Sequence, residues 1–433
     1  MQASTIMTNE LGQSPISRSS VLPVVEQHAE DATVLWQTRS LLTCSPHVEL
    51  RRLRRLDDRL LAHLDGIVLA GADGNRLSAM TLEHPASGSA FVATVLAIES
   101  SDSARLDDLF ALIQSVSEVR PGFLSAFGWV SAPRLQSTVS ALLQSQAPVR
   151  RLTGITACAM HGVDPGPALI EALHDSDEEL RARVLRTAGV LGKLELLDAV
   201  AKGAADPVPD CRIWSAWSSV LMGKRESKLD ALLAMATQSG PFQDRSLRLA
   251  LRAANLKTGN DFLRAMRRTP EQTRTVIAGA GIVGDPHYVP WLIEQMENLK
   301  LCRLAGESFS MITGLDLAYL DLDRKPPDNA ELLPNDDPTD ASVDMDPDDG
   351  LPWADPAKIS AWWAANSARF SNGTRYFMGA PPTRAHCIEV LKNGFQRQRI
   401  AAALYLCLLN PGTPLFNTAA PAWRQERWLA RLR

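Results

Sequence analysis

The sequence predicts an all-α protein, an α-solenoid of helical hairpins repeating at about 30 residues, with an acidic disordered insertion. Three observations carry that prediction. The first is composition: aromatic residues make up 6% of the 433 positions, four of them Tyr, and the Val/Ile/Thr alternation that marks strands is scarce. The second is periodicity. Segments such as 177–190 and 228–237 place apolar residues three and four apart, as the buried stripe of an amphipathic helix requires. The third is a repeat, because Arg151, Arg181, Arg212, Arg245, Arg274 and Arg303 follow one another at intervals of 30, 31, 33, 29 and 29 residues.

Eleven residues after Arg151, Arg181, Arg212 and Arg303 stand Gly162, Gly192, Gly223 and Gly314; after Arg274 the glycine falls one place early, at Gly284, and after Arg245 Leu256 replaces it. Each unit therefore reads as a first helix opening near the arginine, a glycine ending it in the left-handed conformation, a tight turn and an amphipathic second helix. Small residues between the two ends, such as Ala188, Ala216 and Ala280, let neighbouring first helices approach closely.

In chain order, residues 1–20 are rich in Ser, Thr and Gln and lack the apolar core of a signal peptide, so a disordered leader is expected. Residues 21–85 form an N-terminal helical region, with Trp36 in one helix and 50–64 in another. The array spans 86–320; its units over 104–144 are weak, and Gly128 followed by Trp129 is their best sign. Residues 321–350 hold eleven acidic residues, two basic ones and five prolines, too little apolar surface to fold alone, and are expected to be a mobile loop. Residues 351–433 form a C-terminal helical region with a resumed repeat, in which Arg399, Ala401, Ala402 and Ala403 lead to Asn410 in the glycine position.

The totals narrow the function classes. With 45 basic against 49 acidic residues there is no cationic surplus to grip a nucleic acid, and one basic run stands out, Arg51, Arg52, Arg54 and Arg55, followed at once by Asp57 and Asp58. No run of 18 apolar residues would span a membrane. The six cysteines, at 44, 158, 211, 302, 387 and 407, lack metal-ligand spacing and read as reduced core thiols of a cytoplasmic protein.

Chemistry-bearing motifs are sparse. There is no nucleophile elbow, phosphate-binding loop or zinc-protease helix signature. Gly279, Gly281 and Gly284 spell a dinucleotide fingerprint, but between helices instead of after a strand. Asp344, Asp346, Asp348, Asp349, Gly350 and Asp355 imitate a calcium loop with the glycine one place late and Pro347 intruding. His47, His63 and Asp65 lack a third nearby histidine. No catalytic, cofactor or metal residue is therefore expected, and no cofactor. The repeat arginines are expected to pair with turn aspartates, Asp164, Asp206 and Asp285 being candidates, since a buried charge needs a partner. Trp214, Trp217 and Trp291 fit a core. Trp353, Trp362 and Trp363, beside the acidic segment, and the run Arg51, Arg52, Arg54 and Arg55 are the candidate partner-binding residues, because tryptophan and arginine dominate interface hot spots.

Residues 47–71, with Leu56-Asp-Asp-Arg and Ala62-His-Leu-Asp-Gly, carry a further signal, as do Arg303-Leu-Ala-Gly-Glu-Ser-Phe-Ser, Leu351-Pro-Trp, Trp362-Trp363, Gln396-Arg-Gln-Arg and Pro414-Leu-Phe-Asn-Thr. From about residue 21 to its end the chain is similar to an uncharacterised family of bacterial HEAT-repeat proteins, often encoded in type VI secretion neighbourhoods. The resemblance implies a HEAT-like fold and a cytoplasmic accessory role as adaptor or chaperone for a secreted effector, spike or loading factor. An immunity protein that neutralises a toxin, and a lyase-type enzyme of the HEAT-like class, are the alternative readings.

Overall fold

The computed structural model describes residues 21–327 and 346–432. Among these residues the chain is predominantly helical, with twenty-two α-helices and one two-stranded antiparallel ribbon. An N-terminal group comprises α1 (Leu22–Leu42), α2 (Leu50–Leu69) and α3 (Ala72–Met80). Helices then alternate: α4 (Ser87–Glu99), α5 (Ser103–Ser115), α6 (Arg120–Trp129), α7 (Ala132–Leu143), α8 (Pro148–His161), α9 (Pro167–Glu171), α10 (Glu178–Val190) and α11 (Leu197–Lys202). Then come α12 (Pro209–Leu221), α13 (Glu226–Ala236), α14 (Gln243–Ala253), α15 (Leu256–Met266), α16 (Thr273–Val283) and α17 (Val289–Gln295), with α7, α13, α15 and α17 packed on the helix that follows each. The chain ends in α18 (Cys302–Thr313), β1 (Asp323–Arg324), β2 (Trp353–Ala354), α19 (Pro356–Asn366), α20 (Arg384–Asn393), α21 (Gln396–Leu409) and α22 (Ala422–Leu429).

The even-numbered helices from α4 to α18 form one row, each packed on the next. Residues on several sides of a row helix must therefore be small or apolar. In α4 every residue from Gly88 to Ile98 is buried, as expected of a helix enclosed all round. Glycines end three row helices as the repeat predicts: Gly162, Gly284 and Gly314 cap α8, α16 and α18 in the left-handed region, with φ of 67°, 71° and 75°.

An arginine–aspartate ladder ties successive row helices together. Arg151 donates to the carbonyls of Ser145 and Gln146 and to Asp175, while Asp175 caps the backbone N–H of Asp177. One repeat on, Arg181 donates to the carbonyls of Asp175 and Ser176 and, with two N–H groups at 3.1 Å each, to Asp206, which caps Val208. The expected partner Asp206 is thus in place. The other two proposed partners are elsewhere: Asp164 is engaged by Lys193, and Asp285 caps His287 and accepts from Asn260. Arg274 and Arg303 reach further along the chain, to Asp348 and Asp346. Arg245 leaves the ladder altogether, as described below.

Those last two pairs correct the reading of the acidic insertion. Both described flanks are docked: β1 pairs with β2, Lys358 binds Asp321 and the Asp323 carbonyl, and Asp346 and Asp348 fill ladder positions. Asp355 caps α19 through the N–H groups of Ala357 and Lys358. Of the calcium-like aspartates, Asp346, Asp348 and Asp355 are therefore committed to arginines and a helix end, Asp349 is exposed, and there remains Asp344. That residue, the rest of 328–345 and the leader 1–20 lie outside the described residues.

The C-terminal region does not extend the row. Helix α21 packs against α12 and α14, and Asn410 at its end has φ −139°, not the left-handed value expected of a glycine substitute. The segments flanking α20 and α21 run across the C-terminal ends of the row helices. Tyr376 N donates to Gly284 O at 2.8 Å, Met378 N to Met311 O at 2.7 Å, and Leu415 N to Val190 O at 2.8 Å. Arg375 donates to the carbonyls of Leu251, Arg252, Ala254 and Val283, and Arg424 to those of Gly128, Trp129 and Val130. The last carbonyls of a helix have no intrahelical partner and carry partial negative charge, so a guanidinium there satisfies both.

The two ends of the chain meet in a buried polar seam. Arg399, fully buried, donates to Leu391 O, Gln396 Oε1 and Gln425 Oε1; the two glutamine amides donate in turn to Thr418 O, with Gln396 also reaching Thr43 O and Gln425 reaching Ala420 O. Beside them Arg39 is paired with Asp57, whose second oxygen accepts from Ala422 N at 2.6 Å. Asp57, Gln396, Arg399 and Thr418, from the motifs Leu56-Asp-Asp-Arg, Gln396-Arg-Gln-Arg and Pro414-Leu-Phe-Asn-Thr, belong to this seam.

Candidate functional site

The face of the row turned away from α5, α7, α9, α11, α13, α15 and α17 is partly covered by α1, α21 and residues 415–421, and a cavity of about 630 Å³ remains between them. A second cavity, of about 300 Å³, adjoins it, with Asp244, Arg248 and Arg397 lining both. Helices α10 and α14 aim arginines into the larger space: Arg183 and Arg186 stand three apart on α10, Arg245 and Arg248 three apart on α14, so each pair shares a helix face. Between these helices in the row lies α12, whose Trp214 receives two of them. The Arg186 guanidinium is 4.7 Å from the ring centroid and that of Arg245 is 4.8 Å, cation–π distances.

The carboxylates nearby serve other arginines. Asp244 chelates Arg248 Nε at 2.6 and 2.8 Å, Glu307 takes Arg397 at 2.8 and 3.0 Å, and Glu179 accepts from Arg120 at 2.8 Å. Among the described residues none forms a hydrogen bond or ion pair with Arg183, Arg186 or Arg245. The electrostatics follow. Burial, and then the charges of Arg183 and Arg245, push Arg186 down to about 9; burial first and Arg245 second hold Arg183 below its ordinary value, and burial also lowers Arg245. Arg248 moves the opposite way, since Asp244 and Glu307 outweigh its burial. All four remain charged at neutral pH. Apolar side chains line the same cavity, among them Trp36, Trp129, Trp217, Met160, Leu404 and Phe416.

The residues singled out in the sequence are not in this cavity. Trp353 lies in β2, 8% exposed, with the Arg303 guanidinium 4.6 Å above its ring; it is a core residue and offers no face to a partner. Trp362 and Trp363 are half-buried against Phe309 and Phe370. Trp214 and Trp217 are buried and Trp291 half-buried, as a core role requires. His47 stacks on Phe395, whereas His63 meets His28 at 3.0 Å between α1 and α2, so the two histidines do not form one centre. In the basic run, Arg54 is held by Asp58 and Glu426 and Arg51 by Glu49, while Arg52 and Arg55 are exposed on α2.

The helices of this N-terminal group also expose apolar side chains. Of the fifteen large apolar residues exposed among the described residues, nine lie in α1 to α3 or the residue before α1, including Val34 and Leu41 on one face of α1 and Leu61, Val68 and Leu69 near the end of α2. Val34 and Leu41, like Leu61 and Val68, stand seven residues apart, two turns along one side of their helices.

No protein-family model, curated protein or solved structure matches the chain. Among the described residues no group of three or more His, Cys, Asp or Glu side chains could hold a metal, and no helix is long and apolar enough to cross a membrane.

Proposed function

We propose that this chain is a non-catalytic protein-binding scaffold, a HEAT-like α-solenoid whose N-terminal helices dock a protein partner. The observation that carries the reading is the concentration of exposed apolar side chains on α1 to α3, whose helix α2 also exposes the cations Arg52, Arg55 and Arg59. Apolar surface gathered on one part of a protein together with charge is the usual composition of a docking face. The partner it fits offers apolar and acidic surface together. The resemblance of the motifs to proteins of type VI secretion neighbourhoods gives that partner a class, a secreted effector, a spike or a loading factor, and gives the chain the part of cytoplasmic adaptor or chaperone.

The test is affinity purification of the tagged full chain from a host that expresses its secretion genes, set beside a Val34→Asp, Leu69→Asp variant. The scaffold reading expects a spike, tip or effector protein enriched with the wild type and lost with the variant. Equal recovery with both chains moves the docking face elsewhere, and recovery of no secretion component above an untagged control overturns the adaptor role.

A further inference from the structure

We propose that Arg183, Arg186 and Arg245 form a binding site for the phosphoryl group of a small phosphate ester, whose apolar or aromatic body packs on the apolar side chains lining the same cavity. Three guanidiniums from two helices line one open cavity, Arg183 and Arg186 half-buried and Arg245 exposed, and the adjacent carboxylates are already bonded to Arg120, Arg248 and Arg397. Like charges held on one cavity wall repel, and a dianion relieves that repulsion where a single carboxylate leaves most of it. The Trp214 ring holds Arg186 and Arg245 at cation–π distance without using their N–H groups as hydrogen-bond donors, which leaves those groups to donate to phosphate oxygens. The volume of about 630 Å³ lies in the range of small-molecule sites, and the lining combines cationic with apolar and aromatic side chains, as a phosphate ester with an apolar body requires.

This site is separate from the exposed face of α1 to α3, so either proposal can fail without the other. It is tested on the full chain by calorimetric titration with phenyl phosphate, inorganic phosphate and benzoate, at ionic strength held constant with chloride. Phenyl phosphate is expected to bind saturably with one site per chain, more tightly than inorganic phosphate, which lacks the aromatic body, and than benzoate, which lacks the second charge. The double variant Arg186→Gln, Arg245→Gln is expected to weaken phenyl phosphate by at least about ten-fold, roughly the loss of one charge-assisted hydrogen bond. Arg186→Lys, which keeps the charge but not the paired N–H geometry, falls between, and serves as the readout should the double variant not fold. Undiminished binding in the variants, benzoate binding as tightly as phenyl phosphate, or no saturable heat from any phosphate overturns the assignment.

Discussion

Arg39 and Asp57 form an ion pair within the seam where the chain's two ends meet: Asp57 has no exposed side-chain surface, and Arg39 extends past it to Ala420 O at 3.0 Å. The carboxylate thereby joins α1, α2 and the start of α22, because its other oxygen accepts from Ala422 N. Removing it strands a buried guanidinium and a buried N–H together. Asp57→Ala is expected to cost about 3–5 kcal/mol, the range for breaking a buried pair on one side. The check is urea unfolding followed by helical circular dichroism, where an unchanged midpoint would show the pair to be dispensable.

A second prediction concerns pH. His161 Nε2–H donates to Phe127 O, 2.8 Å away, and burial, followed by the charge of Arg424, pushes its pKa down to about 4 from an ordinary value of 6.5. The folded state therefore binds this proton less readily than the unfolded chain, so the contribution is complete above about 6.5 and is lost as pH falls towards 4. Over that window it amounts to roughly 3 kcal/mol. Stability measured from pH 7.5 to 4.5 is expected to fall less steeply in His161→Gln than in the wild type; parallel curves would remove His161 as the cause.

A third compares two glycines of the same repeat position. Gly162 and Gly192 have φ of 67° and 65°, but a Cβ on Gly162 meets nothing within 4 Å, while one on Gly192 would stand 2.4 Å from Gly412 O. Alanine at 162 is expected to cost about 1–2 kcal/mol, the left-handed penalty alone. At 192 the return segment must shift as well, and the expected cost is about 2–4 kcal/mol. Equal losses in denaturant unfolding would mean that 411–412 does not press on the row.

The helices and several of their ends were legible in the sequence because their markers are local. A glycine eleven residues after an arginine reports a left-handed helix end, and Arg181 with Asp206 is a contact between adjacent units. The return of the C-terminal region was not legible, since Arg375 reaches Leu251 O across 124 positions, and nothing in the helical pattern of 396–409 says which face of the row it will cover. The cavity was hidden for the same reason. Nothing in the sequence marks Arg183 and Arg186, and only the placement of α1 and α21 turns their side of α10 into a cavity wall. Arg245 fitted the arginine spacing so well that its departure to Trp214 could not be seen from the spacing itself.

The return of the C-terminal region also sets the order in which the molecule can be completed during synthesis. Each helix of the row contacts its neighbours and can gain structure as it leaves the ribosome, from α4 onward. Helices α1 and α2 wait longest, because Asp57 meets Ala422 N only after 365 further residues have been made. Until translation ends, the buried face of α2 and the carbonyl ends of α6 and α14 are open to solvent and to chaperones. A chain cut short before Arg375 would leave the row in that unfinished state, recognisable to quality control by the very surfaces that the last sixty residues cover.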